Sequence, residues 1–281
     1  SLDGASFIPG TDGFVAMNPT NGWVNGVYGT QTTSAALYDG IVHFKGALTN
    51  GTSATLFTLP ITMRPDEFVY VAVDLCAARP GRLIILPTGD VSVQSAAVFG
   101  DAQCFTSLEG ASFALTPSGS TPLALANGWV AYPGGTSPPS AAIVDGMVQL
   151  KGAMSGGVLN SAFTLPPSMR PASPTWVSIG LFSAAKGRLF IDTFGNVSVF
   201  AQSNFADAQG FTSLDGAKFA PASNTAFKPL TPLNGWTQSG FTGPPEVTLV
   251  RDIVYLKGSI STSGANFIAF SLPPVLRPAG Q

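Results

Sequence analysis

One eight-residue pattern comes three times in this chain and limits what the chain can fold into. Asp39-Gly-Ile-Val-His-Phe-Lys-Gly46, Asp145-Gly-Met-Val-Gln-Leu-Lys-Gly152 and Arg251-Asp-Ile-Val-Tyr-Leu-Lys-Gly258 place their lysines 106 residues apart both times. Ahead of each lysine, apolar positions alternate with more polar ones, which is the period of a half-buried β-strand. Val42 and Phe44 cannot share a face with His43, so one side or the other meets a core. Asp39-Gly40 and Asp145-Gly146 read as hairpin turns at the strand entry. The chain is a β-unit of about a hundred residues used in tandem.

Other segments recur in the same order. Ser1-Leu-Asp-Gly-Ala-Ser-Phe7 returns as Ser107-Leu-Glu-Gly-Ala-Ser-Phe113 and Ser213-Leu-Asp-Gly-Ala-Lys-Phe219. Asn-Gly-Trp ends at Trp23, Trp129 and Trp236, and Phe-Thr-Leu-Pro60 returns as Phe-Thr-Leu-Pro166 and Phe-Ser-Leu-Pro273. Arg64-Pro65, Arg170-Pro171 and Arg277-Pro278 follow, whereas Gly81-Arg-Leu83 and Asp90-Val-Ser-Val93 have counterparts only at Gly187 and Asn196. In the second unit, strands are expected from Gly128, at 141–144 and 147–151, at 161–165, 176–182, 187–192 and 196–200, with 211–219 closing it. Seven or eight short strands with frequent turns are the pattern of an all-β sandwich, jelly-roll-like. The expected organisation is a closing strand of a preceding unit at 1–7, sandwich repeats at 8–113 and 114–219, and a partial repeat at 220–281. Each repeat is long enough to bury its own core, so whole beads are expected and not solenoid turns. Both ends look incomplete, and the expectation is that the polypeptide continues or that a neighbouring chain supplies strands by β-augmentation.

Only 10% of the 281 residues are charged, against roughly 25% in an average soluble protein. There is no basic run to neutralise phosphates, so no nucleic-acid partner is expected. No apolar run reaches the roughly 18–20 residues of a membrane helix, so no membrane insertion is expected either. Cys76 and Cys104 correspond to Phe182 and Gly210 in the second unit; a disulfide and two buried thiols both fit.

The material for catalysis is thin. His43, whose counterparts are Gln149 and Tyr255, reads as a strand-surface residue, and no zinc-ligand spacing, nucleophile elbow or phosphate loop occurs. Asp3, Glu109 and Asp215 read as turn residues bonding nearby N–H groups. No catalytic residue, metal site or cofactor is expected. Trp23, Trp129 and Trp236 are the candidate ligand-binding residues, as platforms for a sugar ring; core packing is the favoured account of them and of Trp176. The repeated arginines are expected to satisfy loop carbonyls or a carboxylate.

Taken in order, Asn-Gly-Trp, Asp-Gly-x-Val-x-Leu-Lys-Gly, Phe-Thr-Leu-Pro, Arg-Pro, Gly-x-Val-x-Val and Ser-Leu-Asp-Gly-x-x-Phe resemble a module of phage tail fibres, minor tail proteins and baseplate components. The resemblance implies a β-sandwich on a trimeric fibre, in a virion tail or at a cell surface, with a structural or adhesive role and no enzymatic one. It implies self-association or contact with other tail subunits, and a host or cell-surface glycan as a possible ligand. The alternative is a lectin-like repeat region of a secreted bacterial protein.

Overall fold

The computed structural model describes residues 1–10, 13–115 and 119–278. Its organising elements are three hairpins, Ser34–Tyr38 with Ile41–Lys45, Ser140–Val144 with Met147–Lys151, and Glu246–Val250 with Ile253–Lys257. Asp39 and Asp145 take the left-handed conformation, at φ 45° and 50°, which a short polar side chain tolerates. Arg251 does the same at φ 55° without that advantage. Its guanidinium instead bonds the carboxylates of both Asp39 and Asp145, so the three turns meet at one point.

The alternation within these strands serves two cores. Val42 and Phe44 belong to the core of the first unit, and Val148 and Leu150 to that of the second. Val254 and Leu256 lie in a smaller cluster of the third unit. On the opposite face, Met147, Ile253 and Tyr255 join Ile8 and Phe227 in a shared centre, with Phe14 and Tyr38 packed against it. Both faces are therefore covered. His43, expected at a strand surface, is 4% exposed, because the face opposite Phe44 points into this centre.

Each of the first two units is a sandwich. One layer is the hairpin with a flanking strand on each side: Val15–Ala16 and Ser112–Ala114 in the first unit, Thr121–Pro122 and Lys218–Phe219 in the second. The other layer is a four-stranded antiparallel sheet, ordered 55–58, 90–95, 80–85, 69–74 in the first unit and 161–164, 196–201, 186–191, 175–180 in the second. Leu83, Ile85, Val91 and Val93 of this sheet, and Leu189, Ile191, Val197 and Val199 of its counterpart, are at most 2% exposed. Short helices at Phe99–Cys104 and Phe205–Gly210 follow these sheets. The strands expected between 128 and 200 hold to within a residue or two, but 211–219 is two short strands, Thr212–Ser213 and Lys218–Phe219, in different sheets, and Thr121–Pro122, Ala153–Ser155 and the helices are additions. Cys76 and Cys104 form a disulfide. In the second unit the Phe182 ring lies where a side chain on Gly210 would be, so a ring against a bare backbone replaces the bond.

The third hairpin is flanked by Lys228–Pro229 and, on its other side, by Ser6–Phe7, which pairs Ser6 with Tyr255 and Phe7 with Val254. Ser1–Phe7, expected to close a preceding unit, thus closes the third one. The strand sits where Ser112–Ala114 and Lys218–Phe219 sit in the first two. The units are also interlocked: Lys218 donates to the Gly110 carbonyl, and Asn224 to that of Gly146.

Candidate functional site

The strands of the second sheet alternate as cleanly as those of the hairpins, with a consequence for its outer face. Val177 and Ile179 point inward, so Trp176 and Ser178 point out. Trp176 pairs with Phe190, Ser178 with Arg188, and Arg188 with Phe200, which gathers an aromatic and cationic cluster on one face. The Trp176 ring lies 4.7 Å from Phe190 and 5.4 Å from Phe200, and the Arg188 guanidinium sits 4.2 Å over the indole. These side chains floor a groove of about 1040 Å³ whose far wall is the third unit, with Ser239, Phe241 and Ile260. Phe241 is 83% exposed.

The first unit has the same face, and there it is covered. Tyr70 pairs with Ile84, Ala72 with Arg82, and Arg82 with Gln94. Phe211 of the second unit packs edge-on to Tyr70 at 4.9 Å, and Tyr132 packs on Phe211 at 4.8 Å. Arg82 lies between the rings, 4.8 Å from Tyr70 and 5.2 Å from Phe211. It donates to the Gln94 side chain and to the Leu181 carbonyl, and only 9% of it is exposed. Burial lowers its pKa, although the carbonyl and ring faces suit a guanidinium.

Carboxylates repeat across both joints. Asp215 accepts the Gly152 N–H at 2.8 Å and the Tyr70 N–H at 3.2 Å. Asp3 accepts the Gly258 N–H at 2.7 Å and the Trp176 N–H at 3.2 Å, and Glu109 accepts that of Gly46. These were expected to serve their own turns; all three instead tie the closing strand to the Lys-Gly glycine, and Asp215 and Asp3 also reach a neighbouring unit. Burial pushes the Asp215 carboxyl up to about 7 and raises Asp3 and Glu109 as well.

The tryptophans singled out by sequence lie elsewhere. Trp23 and Trp129 are 5% and 3% exposed, their indole N–H groups donate to the Ser53 and Leu159 carbonyls, and Gly51 and Gly157 lie flat against the rings. Neither offers a ring face to a sugar. Trp236 donates likewise to Asn266 but stays half-buried. The three do not converge. Arg64, Arg170 and Arg277 donate to the carbonyls of Leu59, Leu165 and Leu272, as expected of them.

His43 is close to Lys218, which is buried and donates to the Gly110 carbonyl and the Ser112 hydroxyl. Burial, with the nearby ammonium, lowers the His43 pKa to about 3, and burial lowers that of Lys218 to about 8. Among the described residues no group of three or more His, Cys, Asp or Glu side chains is placed to hold a metal, and no helix is long and apolar enough to cross a membrane. No family model, curated protein or solved structure matches the chain.

Sequence reasoning placed Trp176 in a core with the other tryptophans. The signal against that was the sheet's own alternation: with Val177, Leu189 and Val199 inside, Trp176, Phe190 and Phe200 must share the outer face.

Proposed function

We propose that this protein is a non-enzymatic structural or adhesive element of a phage tail fibre or a comparable extracellular appendage. One observation carries the reading: three like hairpins lie around a shared centre within one chain, with the Arg251 guanidinium joining their turns. A fibre needs a rigid, weakly charged β-body that presents the same loops in several directions, and several weak contacts made together give useful avidity. Here one polypeptide supplies the repeated directions that a trimer would supply with three. Its place is the virion tail or the cell surface, its partners are other fibre subunits, and its target is a host surface, with a cell-surface glycan as the ligand class.

The test is adsorption of labelled protein, clustered on beads, to a panel of bacterial cells and isolated surface glycans. Saturable binding to one surface, lost when that surface is stripped of its glycan, is expected. Binding to none, together with turnover of a polysaccharide, would contradict both the adhesive role and the absence of catalysis.

A further inference from the structure

We propose that the open groove accepts an aromatic side chain on an extended protein segment in register with Ser1, a third instance of the Phe105-Thr-Ser107 and Phe211-Thr-Ser213 arrangement. The proposal concerns what fits the groove and does not depend on the adhesive role.

The covered joint supplies the geometry. There Phe211 stands two residues ahead of Ser213, whose hydroxyl donates to the Tyr70 carbonyl at 2.6 Å. It stands four ahead of Asp215, which accepts the Tyr70 N–H. At the open joint the Ser1 hydroxyl donates to the Trp176 carbonyl at 3.1 Å, and Asp3 accepts the Trp176 N–H at 3.2 Å. Ser1 and Asp3 therefore hold Trp176 as Ser213 and Asp215 hold Tyr70. Leu2 and Leu214 repeat the match, donating to the Gly258 and Gly152 carbonyls. A strand extended two residues ahead of Ser1 on this course carries its side chain over the Trp176 and Arg188 pair.

The chemistry of the groove suits that occupant. Arg188 lies against one ring, Trp176, where Arg82 lies between two. A second ring would complete the sandwich and remove the guanidinium face from water, a condition under which a cation–π contact strengthens. Phe190 and Phe200 stand where the covered joint has Ile84 and Gln94, so the receiving floor is the more aromatic of the two. A short extended segment is also already anchored, which lowers the ordering cost of the next two residues.

The experiment compares full-length chains bearing Phe-Thr or Ala-Thr ahead of Ser1. Both additions move the terminal ammonium away from Asp3 by the same amount, so their difference reports the ring. The Phe-Thr chain is expected to melt about 2–4 °C above the Ala-Thr chain and to show nuclear Overhauser contacts from the added ring to the Trp176 indole. Arg188→Ala and Trp176→Ala should each abolish the melting difference, while Trp176→Phe should keep it. Equal melting of the two chains without ring contacts would overturn the proposal. So would displacement of the Trp176 indole resonance by oligosaccharides in the unextended chain, which would make the groove a sugar site.

Discussion

The joint between the first and second units and the joint between the second and third are built on one backbone plan, yet they bury their arginines differently. Arg82 is enclosed by two rings and a carbonyl, whereas Arg188 lies over a single indole at the edge of an open groove. The backbone contacts that set the two joints, Asp215 to Tyr70 and Asp3 to Trp176, match in type and in length. Register is thus set by carboxylates at the closing strands, and the depth of burial is set separately by the aromatic side chains brought against the sheet.

The largest effect expected from this contrast is at the tryptophans of the second and third units. Trp129→Ala removes a ring enclosed by Gly157 and the edge of Phe205, and should cost about 3–5 kcal/mol in denaturant unfolding. Trp236→Ala, at a half-buried ring, should cost less than half as much; equal costs would break the contrast between the enclosed and open regions.

Next comes the arginine pair itself. Arg82→Ala strands the Leu181 carbonyl and opens the ring sandwich, at about 2–4 kcal/mol. Arg188→Ala should stay within about 0.5 kcal/mol, as an ordinary surface change does. Chemical denaturation of both variants side by side is the measurement, and a similar loss in each would mean that the groove is enclosed in solution.

A smaller effect concerns the shared centre. An unfolded imidazole takes up its proton near 6.5, whereas His43 stays neutral down to about 3. Between those values the unfolded state binds more protons, so stability falls as the pH drops below about 6.5. His43→Gln, which copies Gln149, should therefore gain about 2 kcal/mol relative to the parent between pH 7 and pH 5. A difference that does not change with pH would place His43 in water.

The smallest effect is at the meeting point of the turns. Arg251→Asp sets three acidic side chains together where a cation now joins two. The melting midpoint should drop at low ionic strength and recover in high salt, because exposed charges are screened.

Much of this fold is legible in the chain. The Lys-Gly hairpins, the strand edges and the closing strand declare themselves through period-two alternation and through repetition. The helix at Phe205–Gly210 does not, since six residues are too few to show a helical period. The reading of His43 failed for a related reason. Alternation shows that a strand has two faces, but not that both are covered, and replacement by Gln149 and Tyr255 resembled tolerance at a surface. In fact Gln149 and Tyr255 are themselves 5% and 3% exposed.

By itself the sequence determined the all-β class, the unit length and the positions of the hairpins, because these follow from interactions between residues close along the chain. Only the tertiary structure decided that Ser6–Phe7 closes the third hairpin across some 250 residues, that Arg251 joins the first two turns, and that Trp176 faces a groove. Those outcomes depend on how whole sheets pack against one another. That packing is settled by burial and by long-range pairing, which no local pattern in the chain records.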